Sequence, residues 1–232
     1  MTTPPSPIVA AFDLDGTLSK GGSVFKWLRC LSGRRATYFA AIGLARPLFV
    51  GALRSGSWAD DAKERLFRRL LTGRDAEEVT TLSRTFAIRY FEEHGRPRVI
   101  ERMNWHLQQG HDVVIVSASP QLYLDVVAEI FGVAGDLGTR LAVDARGQLT
   151  GSYLGKNCRG TEKLRRFTEW TEARHPGVEP IVYAYGNSRG DRRLLRAATY
   201  AFDAGRLGPV GSLRHFARLP RGESGPTATA GE

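Results

Sequence analysis

The sequence predicts an α/β protein, a doubly wound, mainly parallel Rossmann-like sheet with an inserted all-helical cap. Three observations predict it. Short runs of strand length, Ile8–Phe12, Asp112–Val116 and Ile181–Tyr185, each end in a polar turn, as buried parallel strands do. Between the first two runs, Gly21 to Gly95 reads as helix after helix without a strand. The chain has 232 residues of which 42% are hydrophobic, enough to bury one sizeable core, and it suits one α/β domain carrying an insertion. The expected division is a core from 1–19 and 96–220, a cap at 20–95 and a disordered tail at 221–232.

The elements follow in order. Met1 to Pro7 is polar and proline-rich, lacks the apolar run of a secretory signal, and is expected to be a short disordered lead. After Ile8–Phe12, Ser23 is placed to cap a helix over Val24 to Leu31, and Ser57 one over Trp58 to Leu71 that stops at Gly73. Asp75 with Glu78 is an acidic version of a capping box, ahead of Val79, Leu82, Phe86 and Tyr90 on one helix face. A helix from Pro97 to Gln109 ends at Gly110, and the buried strand Asp112–Val116 runs into Ser117-Ala118-Ser119-Pro120. There Ser119 is placed to cap the next helix, with Pro120 in its first turn. Arg140 to Val143 and Leu149 to Tyr153 read as a hairpin, Gly160 opens a helix through Glu172, and Thr199 to Phe202 is a last strand after Ile181–Tyr185. Such a helical block between a first strand and a later α/β run is the pattern of a lid over the strand ends.

Composition excludes several classes. Lys plus Arg outnumber Asp plus Glu by 33 to 24, a net charge of +9 that favours anionic partners. No nucleic-acid-binding motif accompanies the dispersed arginines, so no nucleic acid is expected. The two cysteines, Cys30 and Cys158, form no CxxC pair and suggest neither a disulfide framework nor a zinc site. The five histidines show no metal-ligand spacing, and the four tryptophans read as packing residues. The longest apolar stretch, Tyr38 to Leu53, is interrupted by Arg46 and Pro47 and is too short to span a bilayer, which takes about 20 residues. The expected location is cytoplasmic.

The chemistry gathers at strand ends. Asp13 and Asp15, spaced i, i+2, close the first strand and run into Gly16-Thr17, a turn able to give the two acids different directions. A hydroxyl at a strand end followed by a helix N-terminus, as at Ser117 to Pro120, is a phosphate-friendly site. A parallel sheet would bring Asp13, Asp15, Ser117, Lys163, Asn187 and Asp191 to one rim. On these residues the chain resembles the haloacid dehalogenase (HAD) superfamily, in the phosphoserine-phosphatase-like branch, subfamily IB. Phe12-Asp13-Leu14-Asp15-Gly16-Thr17, Val116-Ser117-Ala118-Ser119, Gly160-Thr161-Glu162-Lys163 and Tyr185-Gly186-Asn187-Ser188-Arg189-Gly190-Asp191 match its four motifs in order, over roughly Ile8 to Leu219.

The resemblance implies a Mg²⁺-dependent phosphomonoesterase. Asp13 would be the nucleophile that forms an aspartyl-phosphate, Asp15 the general acid and then base, and Lys163 the cation that offsets their charge. Ser117, Ala118 and Ser119 would hold the phosphoryl oxygens. Asp13, the Asp15 main-chain carbonyl, Asn187 and Asp191 would hold Mg²⁺. One position departs from the family pattern: the fourth motif usually starts Gly-Asp and here reads Gly186-Asn187. The expectation is weaker Mg²⁺ binding, with Asp191 compensating. The alternative reading is a catalytically weak phosphate- or membrane-surface-binding module on the same fold.

The cap is expected to choose the substrate, a small phosphorylated metabolite or a lipid phosphate. Ser19-Lys20-Gly21-Gly22-Ser23 lacks the acidic residue that phosphoserine phosphatases are expected to carry for the substrate amine. The apolar Tyr38 to Leu53 stretch, flanked by Arg34, Arg35 and Arg54, has a composition suited to lying peripherally at an anionic membrane surface or to gripping an acyl chain. In this the chain is similar to the phosphatidylglycerophosphate phosphatases of the same branch. The competing reading makes it a buried helix of a four-helix cap.

Overall fold

The computed structural model describes residues 6–51, 57–205 and 211–220. The expected tail at 221–232, most of the expected lead and the end of the Tyr38 to Leu53 stretch lie outside them. In chain order the first elements are β1 (Ile8–Phe12), α1 (Val24–Ser32), α2 (Arg34–Gly51), α3 (Ser57–Leu71), α4 (Ala76–His94) and α5 (Pro97–Gln108). Then come β2 (Asp112–Pro120), α6 (Gln121–Phe131), β3 (Gly135–Thr139), β4 (Leu141–Val143), β5 (Leu149–Tyr153) and α7 (Thr161–Arg174). β6 (Ile181–Gly186), a 3₁₀ turn at Arg189–Asp191, α8 (Arg192–Ala197), β7 (Tyr200–Asp203) and β8 (Ala217–Arg218) complete the described chain.

Six strands form one sheet in the order β3-β2-β1-β6-β7-β8, with every neighbouring pair parallel. The doubly wound sheet expected from the apolar runs is present. Its interior strands read as continuous apolar runs because both faces are covered. Ala10 and Phe12 enter one core with Val99 and Met103 of α5 and Tyr123 and Val127 of α6. Val9 and Ala11 enter the other with Phe167 of α7 and Leu194 and Leu195 of α8. The chain adds β2 and β3 on one side of β1, then crosses to add β6, β7 and β8 on the other. The topological switch point therefore lies between β1 and β6, where open α/β sheets leave a crevice at the strand ends.

Helices α1 to α4 stand between β1 and α5, and β4 and β5 make the expected antiparallel hairpin, which packs on α3. Trp27, Phe67, Leu71, Phe86 and Tyr90 join the apolar cluster that reaches the sheet. The chain enters and leaves this helical block by paired segments: Lys20 N donates to His94 O at 2.7 Å and Arg96 N donates to Leu18 O at 2.9 Å. Ser19 and Gly95 form an antiparallel bridge between them.

Local capping differs from expectation at two serines. Asp75 accepts from Glu78 N at 2.8 Å, as its motif predicts. Ser23 precedes α1 but makes no side-chain cap; its Oγ lies 2.5 Å from Tyr123 OH. Ser119 does not cap α6 either, because Pro120 occupies the cap position and the Ser119 hydroxyl points across the rim. In both cases a tertiary partner outcompetes the local backbone.

Candidate active site

β1 delivers Asp13 to the switch point, its N–H donating to Tyr185 O of β6 at 2.9 Å. Asp13 as a whole is 7% exposed. Lys163, in the first turn of α7, donates from Nζ to Asp13 Oδ1 at 2.7 Å and to Asp191 Oδ1 at 2.5 Å. Thr17 Oγ1 donates to Asp13 Oδ2 at 3.1 Å. One buried ammonium thus serves two buried carboxylates, and they divide it unequally. Asp191 Oδ2 also accepts from Asn187 N, Ser188 N and Ser188 Oγ at 3.1, 3.0 and 2.9 Å. Burial alone would raise the Asp191 carboxyl, but Lys163 and these donors hold it below the usual carboxylate range. Burial, and then the Asp191 charge, push the Asp13 carboxyl well above that range against the pull of Lys163. Burial would lower Lys163, yet Asp13 and Asp191 together raise it, so it stays charged.

Asp15 turns the other way, because Gly16 takes a φ of 84° that favours glycine. Asp15 Oδ1 accepts from Ser23 N at 2.8 Å and Oδ2 accepts from Ser119 Oγ at 2.9 Å. Burial raises its carboxyl despite these donors. Ser117 Oγ accepts from Ser119 N at 3.1 Å, and Ser117 and Ser119 are both buried. Ala118 lies between them and its carbonyl accepts from Lys63 Nζ at 2.8 Å. Lys63 belongs to this site although no motif in the sequence marks it. It reaches from α3, also donates to Asn157 Oδ1 at 2.6 Å, and is drawn down to about 8 by burial against the charges of Asp60 and Asp15. On a polar helix such as α3, a single lysine carries no local mark of this.

The rim thus holds Asp13, Lys163 and Asp191 in direct contact, with Asn187 bonded to Asp191 through its backbone. Asp15, Ser119 and Ser23 form an adjoining hydrogen-bonded group. The fit to a hard cation can be judged from Asn187. Its Oδ1 is buried without a hydrogen-bond partner among the described residues, an arrangement costly unless something else is bound. Its side chain lies over Gly16, where an added Cβ would sit 1.9 Å from Nδ2. No three His, Cys, Asp or Glu side chains among the described residues converge as a metal site. An Asp13 carboxylate, a main-chain carbonyl and an amide oxygen are nevertheless the all-oxygen donors that Mg²⁺ takes, with waters completing its shell. The residues fit the ion. Asp191, whose two oxygens accept four hydrogen bonds from Lys163, Asn187 and Ser188, is committed to holding the loop and the ammonium.

Residues 10–196 match the family model of the haloacid dehalogenase-like hydrolases. The chain belongs to that family. As a HAD-like hydrolase it is 25% identical over 190 residues to the histidinol-phosphatase of Neisseria meningitidis, covering 81% of this chain and 86% of that protein. Its fold is similar to that of a Bordetella pertussis protein of unknown function, with a TM-score of 0.76, 21% identity, and coverage of 93% and 99% of the two chains. A phosphoserine phosphatase solved as an analogue of its phospho-aspartyl intermediate matches with a TM-score of 0.59 and 16% identity, over 86% of this chain and 87% of that one. These structural likenesses show the shared HAD fold.

Proposed function

We propose that this HAD-like hydrolase is a phosphoric monoester hydrolase that works through an aspartyl-phosphate on Asp13. The observation that carries the reading is the buried contact between Asp13 and Lys163 at the sheet's switch point. A carboxylate kept in contact with a fixed cation, out of bulk water, can approach a phosphate dianion that would otherwise repel it. In the first half of the reaction an Asp13 oxygen bonds to phosphorus as the ester P–O bond breaks. The leaving oxygen keeps the electron pair and takes the proton of Asp15, whose raised carboxyl suits it to carry one. In the second half Asp15 accepts a proton from water as that water attacks phosphorus, and the Asp13–phosphorus bond breaks to release phosphate. Lys163 offsets the negative charge throughout, and the Ser117 hydroxyl with the Ala118 backbone N–H provides donors for the phosphoryl oxygens, Ser119 N holding that hydroxyl in place. Asp13, the Asp15 carbonyl and Asn187 would hold Mg²⁺, which supplies positive charge that keeps Asp13 ionised beside the phosphate.

The helical block over this rim, residues 20–95, acts as the cap in this reading, and Lys63 is its cationic contribution beside Ala118. The substrate class is a phosphomonoester of a small metabolite or of a lipid. The relative named for histidinol phosphate supports the reaction type rather than the leaving group. A phosphate-release screen across phosphorylated metabolites and lipid phosphates, run beside Asp13→Asn, tests the reading. Release by wild type that vanishes in the variant is expected, and equal release by both would remove it.

A further inference from the structure

Residues 16–59 contain no Asp or Glu and carry seven basic residues, Lys20, Lys26, Arg29, Arg34, Arg35, Arg46 and Arg54. No ion pair among the described residues involves Arg29, Arg34 or Arg35, all of which are exposed. The same segment holds a cluster of exposed large apolar side chains: Phe25 at 51%, Tyr38 at 64%, Phe39 at 69% and Ile42 at 51%. Helix periodicity explains the grouping. Thr37 and Ala40 of α2 are buried on the side facing α1 and α3, so Arg34, Arg35, Tyr38, Phe39 and Ile42 share the outward face. Phe25, Arg29, Arg34, Arg35, Tyr38 and Phe39 line one open cleft of about 500 Å³. The other exposed large apolar residues, such as Ile88, Ile130 and Val178, are scattered singly along the chain.

We propose that this α1–α2 face docks on an anionic lipid bilayer. Aromatic and aliphatic side chains interleaved with arginines, with no acid among them, match a surface of lipid phosphates above acyl chains. Phe25, Tyr38, Phe39 and Ile42 enter the headgroup boundary while Arg29, Arg34 and Arg35 meet the phosphates. The face lies on the bilayer without crossing it, since no described helix is long and apolar enough to span one. A second copy of the chain is a poor occupant, because a twofold contact sets the same patch against itself and brings unpaired arginines together. The surface lies on the helical block rather than on the rim residues, so the proposal stands independently of the phosphatase reading.

Co-sedimentation of the full chain with sucrose-loaded vesicles tests it. Binding is expected to vesicles containing about one-third phosphatidylglycerol in phosphatidylcholine, weakened by salt, and not to phosphatidylcholine alone. Arg34→Ser with Arg35→Ser should lower the partition coefficient about 25-fold, taking roughly a factor of five for each arginine. Phe25→Ser with Phe39→Ser should lower it while leaving hydrolysis of a soluble phosphomonoester unchanged, and Asp13→Asn should bind as wild type does. No binding to the anionic vesicles at low salt, or equal binding by wild type and both double variants, overturns the proposal. So does a concentration-dependent dimer that the Phe25→Ser/Phe39→Ser variant abolishes, since the occupant is then a second copy.

Discussion

Lys163 Nζ lies 2.7 Å from Asp13 Oδ1 with both side chains almost wholly out of solvent, and the same ammonium is the buried counter-charge of Asp191. Removing it leaves two carboxylates facing each other without compensation. Lys163→Met is therefore expected to cost about 3–5 kcal/mol of folding stability, as broken buried pairs do, and to abolish phosphate release. Urea unfolding measures the first. A loss below about 1 kcal/mol would show that the carboxylates relieve their repulsion by taking up protons instead.

Asn187 carries the metal prediction. Replacing its neutral amide by a carboxylate adds a charged ligand at the same place, so Asn187→Asp should lower the Mg²⁺ concentration for half-activation about tenfold, and Asn187→Leu should raise it. Calorimetric Mg²⁺ titration of both variants gives the same order without relying on turnover. Identical affinities for wild type and Asn187→Leu would exclude Asn187 as a ligand.

Asp15 is expected to matter in proportion to how poor the leaving group is. Asp15→Asn should slow release of an alkyl alcohol by about 10²–10⁴. With p-nitrophenyl phosphate the same variant should give a rapid burst of nitrophenolate near one equivalent per chain, then slow turnover, because that leaving group needs no proton while hydrolysis of the intermediate still does. Stopped-flow absorbance reads it, and turnover without any burst would argue against a covalent intermediate.

A pH effect on stability arises away from the rim. His106 Nε2 lies 2.9 Å from Tyr185 OH and its Nδ1 lies 2.8 Å from His111 Nδ1. Burial, then His111 and Arg102, hold its pKa down to about 3 from an ordinary 6.5. Between those values the unfolded chain binds a proton that the folded chain refuses. The stability contribution is complete above 6.5 and declines by up to about 1.4 kcal/mol per pH unit as pH falls toward 3. Unfolding free energies from pH 6.5 down to pH 4.5 should fall more steeply in wild type than in His106→Gln; equal slopes would assign the acid sensitivity to other groups.

How much of this was legible depends on where each signal was stored. β1, β2 and β6 announce themselves because strands buried on both faces need unbroken apolar runs. β3, Gly-Asp-Leu-Gly-Thr, has no such run and becomes a strand through parallel pairing with Val114 to Val116 at the sheet edge. α8, six residues long, is too short for periodicity to mark. At the rim, residue order gave Asp13, Asp15, Lys163, Asn187 and Asp191 as candidates, but not the division of donors between Asp191 and Asn187. That depends on the backbone N–H groups of residues 187 and 188 closing onto Asp191. Gly186 permits this close turn, since a Cβ there would meet Asp191 at 2.6 Å. Ser23 and Ser119 read as helix caps because capping is a local rule, whereas their true partners, Tyr123 and Asp15, are about a hundred positions away in the chain.

The paired segments Leu18–Lys20 and His94–Arg96 form a two-stranded neck through which the chain enters and leaves the helical block. Beyond these segments the block is moored to the core twice more, by α3 on β5 and by α4 on α6. Asp15 sits at the root of that neck, held by Ser23 N from the block and by Ser119 Oγ from the core. The carboxylate proposed to handle the proton is therefore oriented jointly by the block and the core, and a substitution that shifts either one is expected to turn it.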